Sequence, residues 1–141
     1  MIKAIFRNPE ADENVITDLN ALKKDIIDNF DTYWMQGSGD GYIECFCDGK
    51  RISMLMLGPN IEYGLYLHFI NFVNKEDLLS LYDETRMEEV AETAEEIYAS
   101  VGLFLPKEEA WEGIRYFVET GEPLPSIKWI TPDDVPETGN W

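Results

Sequence analysis

The stretch YIECFCDGKRISMLMLGPNIEYGLYLHFI, residues 42–70, decides the fold of this chain. It contains three short runs that are rich in aromatic and aliphatic residues and bounded by turn residues, which is typical of antiparallel strands. The runs are 42–48, 51–57 and 63–70. Asp48-Gly49-Lys50 predicts a tight hairpin between the first two runs. Gly58-Pro59-Asn60 predicts the next turn, so an antiparallel sheet lies at the centre of the protein.

Weaker patterns on both sides of this stretch predict further strands. They are residues 2–6, 32–36, 78–82 and 126–130. Residues 86–99 leave two alternatives open. Their apolar spacing and intervening acids favour a helix, whereas Ile97 and Tyr98, followed by VGLFL, also suit a strand.

Two other segments predict helices. Residues 15–30 carry apolar side chains at intervals of three or four, with Asp12 or Thr17 as the N-cap and Asn29 near the end. Residues 107–120 form the clearer helix, since Pro106 suits its start and Gly121 its end.

Together these elements predict the fold class and the domain organisation. We expect an α+β fold, in which an antiparallel sheet of about five to seven strands has two or three helices packed on it. A length of 141 residues suits one domain over 1–141, with 131–141 as an irregular C-terminal tail.

The strongest compositional signal is negative charge. The chain has 28 acids and 11 bases, a net charge of −17, and residues 52–141 contribute −13 of it. Such a surface repels nucleic-acid and membrane phosphates, and it attracts a basic protein. No apolar run approaches the roughly 20 residues of a membrane span, and no secretory signal begins the chain. We therefore expect a cytoplasmic protein with reduced thiols, no direct nucleic-acid partner and no membrane partner.

Residue types that could carry chemistry are few. Cys45 and Cys47 lack the further ligands of a zinc site, and His68 is the single histidine. The glycine-rich run 37–41 precedes a strand and lacks the lysine of a phosphate-binding loop, so it predicts a hairpin turn. We expect no metal, no cofactor and no catalytic residues.

The candidate interface consists of an acidic segment, residues 83–96, and of residues around the glycine-rich turn. A solvated acidic face is the alternative interpretation of the acids. Aromatic residues near exposed turns are plausible binding residues. The candidate residues are Trp34, Asp40, Tyr42, Asp83, Glu84, Glu88, Glu89, Glu92 and Glu95.

The last third of the chain, residues 101–141, resembles the Imm1 family of bacterial immunity proteins. The LFLP entry, the closing GNW and a strand that bears a tryptophan carry the resemblance. The matching positions are Phe117, Thr120, Gly121, Pro125, Ile127 and Trp129. The resemblance implies an α+β protein, encoded beside a secreted toxin, that neutralises a toxin domain such as a deaminase or nuclease. It implies no catalytic residues, and a structural role for Phe117, Gly121 and Trp129.

Two other functions stay open as alternatives. A small acidic enzyme would use carboxylates in a pocket. A general acidic adaptor would bind several basic proteins with similar affinity. The oligomeric state, monomer or homodimer, is also open.

Overall fold

A computed structural model describes residues 1–94 and 97–141, and these residues form an α+β fold. Within them, eight antiparallel strands make one sheet in the order β10-β6-β5-β4-β3-β1-β2, and the short β9 pairs with β5. The predicted fold class is confirmed. The strands of this sheet are β1 (Ile2–Arg7), β2 (Glu13–Val15), β3 (Gly41–Cys47), β4 (Lys50–Asn60), β5 (Gly64–Asn71), β6 (Glu76–Leu81), β9 (Phe104–Leu105) and β10 (Lys128–Ile130).

The centre of the sheet follows the stretch that decides the fold. At the β3–β4 hairpin, Asp48 has a φ of 51° and Gly49 a φ of 82°, the left-handed conformation that a tight hairpin requires. The turn predicted at Gly58-Pro59-Asn60 is wrong, because β4 continues to Asn60. The partner strand β3 begins at Gly41, which lies opposite Leu57. Beyond that point β4 pairs with β5 alone among the described residues, and its other side has no neighbouring strand. Pro59 has no backbone N–H, but on that free side its absence costs no hydrogen bond of the sheet.

The helical region after β2 differs from the prediction in its limits. The structure has α1 (Leu19–Lys23), a π-helical turn (Lys24–Asp28) and α2 (Phe30–Tyr33). Asp18 is the N-cap, instead of Asp12 or Thr17, and its carboxylate accepts from the backbone N–H groups of Asn20 and Ala21. The helical path runs past Asn29, so the predicted strand at 32–36 is wrong. Tyr33 and Trp34 pack edge to face there, with ring centroids 5.4 Å apart.

The glycine-rich run 37–41 joins α2 to β3, so it is not the predicted turn of a hairpin. Gly37 has a φ of 49° and lies against the backbone of Pro9, where a side chain would collide with the Pro9 carbonyl oxygen. A glycine is therefore required at the point where the run crosses the β1–β2 connection.

Among the described residues of 86–99, none lies in an α-helix and two short strands form, so the helical interpretation is wrong. Two short strands, β7 (Val90–Glu92) and β8 (Tyr98–Ser100), pair as a separate hairpin with Ala91 opposite Ala99. A 3₁₀ turn at Glu84–Arg86 precedes it. Burial of Met87 and Ala99 against the sheet outweighs the local preference for helix.

Two apolar clusters lie on opposite faces of the sheet. On one face, α1, α2 and α3 (Lys107–Thr120) cover the larger cluster, which includes Leu67, Phe69 and Phe117. Helix α3 has the predicted limits, and Gly121 ends it in the left-handed conformation. On the other face, Tyr66, Leu79 and Met87 belong to a smaller cluster, and the β7–β8 hairpin covers this part of the sheet.

The C-terminal segment 131–141 is irregular except for a 3₁₀ turn at Pro132–Asp134. Its end is held against β8. The Asn140 side-chain amide donates to the Tyr98 carbonyl oxygen at 2.7 Å, and the Ser100 backbone N–H donates to the Asn140 carbonyl oxygen at 2.8 Å. These bonds satisfy the outer edge of the hairpin.

Buried Ser80 connects β5, β6 and the turn before β9. It is 0% exposed; its hydroxyl accepts from the Leu67 N–H at 3.0 Å and donates to the Leu103 carbonyl oxygen at 2.8 Å.

We expect Ser80→Ala to lower the free energy of unfolding by about 1–3 kcal/mol, since two buried backbone groups lose their partner. Urea denaturation measures this loss. The matched variant at exposed Ser126, Ser126→Ala, should change stability by less than about 0.5 kcal/mol; an equal loss in both variants would contradict the assignment.

Candidate protein-binding surface

The acidic segment that follows β6 begins with an ordered turn. The Asp83 carboxylate accepts from the Thr85 hydroxyl at 2.6 Å and from the Thr85 backbone N–H at 3.0 Å. These hydrogen bonds hold the pKa of Asp83 below its usual value. Asp83 therefore stays ionised and fixes the start of the segment.

Arg86 is the one base of this segment, and it forms an ion pair with Glu89. Two guanidinium nitrogens of Arg86 donate to the two Glu89 carboxylate oxygens, each at 2.9 Å. The pairing lowers the pKa of Glu89. The guanidinium also lies 5.1 Å from the centre of the Tyr63 ring and donates to its hydroxyl at 3.3 Å. The exposed carboxylates of Glu84 and Glu88 remain beside this pair.

An open depression of about 390 Å³ lies next to the segment, and we call it the acidic depression. Glu84, Glu88 and Asp134 line it, together with Lys128, whose ammonium is 3.4 Å from a Glu84 oxygen. Its apolar lining residues are Leu81, Met87, Ile130 and Pro136. The acidic depression thus combines an apolar floor with an excess of negative charge.

The β7–β8 hairpin adds exposed apolar side chains to the same region. Val90, Ile97 and Tyr98 are exposed large hydrophobic residues, and Glu92 is exposed beside them. Glu92 is held through its carbonyl oxygen, which accepts from the Asn60 side-chain amide at 2.8 Å. Apolar residues flanked by charged ones are typical of protein interfaces.

The three candidates near the glycine-rich run are held by contacts within the chain. Trp34 is buried, and its indole N–H donates to the Ile26 carbonyl oxygen at 3.0 Å. Asp40 accepts from the Ser38 hydroxyl at 2.7 Å. The Tyr42 hydroxyl accepts from the Arg7 guanidinium at 2.8 Å, a bond that raises the pKa of Arg7. None of these three contacts involves the acidic segment.

The structure nevertheless brings the glycine-rich run close to the β7–β8 hairpin. A side-chain carbon on Gly39 would lie 3.9 Å from the Cα atom of Ala94. Trp34 and Glu92, which the sequence separates by more than fifty positions, line one depression. Glu95 lies outside the described residues.

Several surface residues of this region were not predicted from the sequence. Asp134 reaches the acidic depression from the C-terminal segment, and Met35 and Ile61 are exposed near the hairpin. The only local signal for Met35 and Ile61 is that each is an apolar residue beside a turn. The position of Asp134 depends on the pairing of β10 with β6, which no local pattern indicates.

The positions taken from the resemblance have structural contacts. Phe117 is fully buried. The Gly121 carbonyl oxygen accepts from the buried hydroxyl of Ser53 at 2.8 Å. The Trp129 indole donates to the Leu124 carbonyl oxygen at 2.9 Å, and its ring packs near Phe69. These contacts join the end of α3 to the sheet.

His68 has an acidic partner that the sequence pattern does not indicate. Its Nε2 atom lies 2.5 Å from an Asp77 oxygen, and the Trp141 ring packs edge-on with its centroid 5.7 Å away. A catalytic histidine of the nucleophile-activating type also needs a hydroxyl or thiol. In residues 1–94 and 97–141, no such group is hydrogen-bonded to His68.

The two cysteines are free thiols. Cys45 is buried in the larger cluster, and this burial raises the pKa of its thiol. Among the residues that the structure describes, no group of three or more histidine, cysteine or acidic residues is placed to hold a metal ion.

The described helices are all too short or too polar to cross a membrane. Comparison of the chain with protein-family models, with curated proteins and with solved structures finds no match.

Proposed function

We propose that this protein is an immunity protein, which binds a cognate secreted toxin domain and neutralises it in a stoichiometric complex. The observation that carries the proposal is the acidic depression with its neighbouring hairpin. It joins exposed carboxylates to exposed apolar side chains on a chain of net charge −17. The resemblance of residues 101–141 to the Imm1 family supports the same function.

The charge of the surface suits a toxin that acts on nucleic acid. A deaminase or nuclease binds phosphates through a basic groove. An acidic protein is attracted to such a groove, and electrostatic steering accelerates the encounter. Both proteins would meet in the cytoplasm of the producing cell, where an unbound toxin would reach its substrate.

Inhibition in this proposal needs no bond-making by the immunity protein. A complex that buries about 1,600 Å² in total is a standard stable interface. Such a complex blocks the toxin by occupying its groove or by clamping the residues beside it. The apolar side chains Val90, Ile97 and Tyr98 then supply burial, and the carboxylates supply orientation.

Co-expression tests the proposal. The gene immediately upstream is expected to encode a toxin domain, and expressing it alone should stop growth. Co-expression of this chain should restore growth, and the two proteins should co-purify in a fixed ratio. A toxin domain from an unrelated locus is the control, which this chain should not neutralise. Rescue without a stable complex, or turnover of the toxin or its substrate by the purified chain, would overturn the proposal.

A further inference from the structure

We propose that a second depression, between α2, the end of β4 and β7, receives one long basic side chain of the toxin domain. We call it the α2–β4 depression; it is lined by Phe30, Asp31, Trp34, Met35, Pro59, Asn60, Ile61, Glu92 and Thr93. The inference rests on the proposed function and deepens it. It adds a specific contact to the general attraction between the two proteins.

The walls of the α2–β4 depression are fixed before any partner binds. The indole of Trp34 is bonded to the Ile26 carbonyl oxygen, which holds the end of α2. The Asn60 side-chain amide donates to the Glu92 carbonyl oxygen at 2.8 Å, which ties β4 to β7. The Asn60 side-chain oxygen also accepts from the backbone N–H groups of Glu62 and Tyr63. These two bonds order the turn that carries Ile61. A rigid site loses little conformational entropy when it is filled.

Part of the apolar lining of the α2–β4 depression is exposed to solvent. Met35 is 82% exposed and Ile61 is 75% exposed. Phe30 and Trp34 are buried residues that line the same depression. Lysine and arginine bury an aliphatic stem against such apolar surface while the charged end stays hydrated.

The charge of the α2–β4 depression complements a cation. Asp31 and Glu92 line it and are exposed, and none of its described lining residues is basic. A carboxylate at the rim would then hold the charged end of the incoming side chain.

The size of the α2–β4 depression favours one side chain. Its volume is about 280 Å³. The depression is open to solvent and would not bury most of a small molecule, so it suits a projecting side chain of a protein. Arginine is among the residue types that are enriched where binding energy is concentrated.

Binding kinetics with the purified upstream-encoded toxin domain test the inference. Ile61→Ser should raise the dissociation rate by about ten-fold, since it removes an apolar wall from a central contact. Asp31→Asn should raise it by about three- to ten-fold at low salt and less at high salt. The matched controls are Val73→Ser, at an exposed valine in the β5–β6 turn, and Asp12→Asn, at an exposed aspartate near β2. Each control should stay within about two-fold of the unmodified chain.

The basic side chain itself is identified from the toxin. Each exposed arginine and lysine of the toxin domain is replaced by alanine, and each variant is measured against the unmodified chain and against Asp31→Asn. One toxin position should lose affinity with the unmodified chain and much less with Asp31→Asn, as a double-mutant cycle requires. Thermal unfolding of every variant verifies that the fold is intact.

The outcomes separate the two proposals. If the unmodified chain does not bind the toxin domain, the proposed function fails. If it binds, but Ile61→Ser and Asp31→Asn behave as their controls do, or no toxin position couples to Asp31, the inference about the α2–β4 depression alone is overturned.

Discussion

Reversing Glu84, Glu88 and Glu89 to lysine is expected to slow association with the toxin domain by about ten-fold or more at low salt. These exposed carboxylates lie in or beside the acidic depression. Each reversal changes the charge by two units, so the triple variant has a net charge of −11 instead of −17. Stopped-flow association rates at increasing ionic strength measure the effect, which should shrink as salt screens the charges.

A variant of equal net charge shows whether position matters. Glu10, Asp12 and Glu13 are exposed at the β1–β2 connection, by the sheet edge opposite to β10. Reversing these three acids should slow association much less, because none of them lines the acidic depression. Equal slowing in both variants would mean that total charge alone steers the encounter. An unchanged rate in the first variant would remove the acidic depression from the interface.

The largest loss of stability is expected for Phe117→Ala, about 3–5 kcal/mol of unfolding free energy. Phe117 is 0% exposed, and its ring meets that of Phe69 edge to face at 6.0 Å, which joins α3 to β5. Removing the ring leaves a cavity in the larger cluster. Urea denaturation at neutral pH measures the loss, and Phe117→Leu provides a milder variant that keeps the unfolding transition measurable.

A neighbouring aromatic residue on α3 is the control for Phe117. Tyr116 is only half-buried, so Tyr116→Ala should cost clearly less. If Phe117→Ala costs less than about 1 kcal/mol, the helix does not rely on this contact, and the packing described for α3 is wrong.

Local signals explain the parts of the fold that the sequence predicted. The β3–β4 hairpin follows from Asp48-Gly49, because few other residue pairs accept two left-handed conformations in succession. Helix α3 follows from Pro106 and Gly121, whose backbone preferences mark a start and an end. In both cases the physical cause lies within a few residues of the feature.

The wrong predictions have causes that lie outside the segments concerned. The apolar spacing of 15–30 is helical, but its first residue pairs with Ile5 in the sheet, so the helix begins only at Leu19. Residues 90–92 pair with 98–100, whose outer edge is bonded to Asn140. Helix propensity is a weak preference, and such tertiary partners outweigh it.

The candidate interface was predictable only in part for the same reason. A run of acids is visible in the sequence, so Glu84 and Glu88 could be named as candidates. Asp134 reaches the acidic depression through strand pairing, and Ile61 reaches the α2–β4 depression through the turn after β4. Sequence patterns therefore indicated the sign of the charge, and the fold determines where apolar side chains accompany it.

The borders of the main sheet have a consequence for the behaviour of the protein at high concentration. Its border strands, β2 and β10, have three residues each, and each carries a charged residue, Glu13 in one and Lys128 in the other. A second molecule that tried to continue the hydrogen-bond ladder would find few free backbone groups and would meet a charge. Short border strands with a charge on each thus disfavour the growth of fibres when the protein is concentrated.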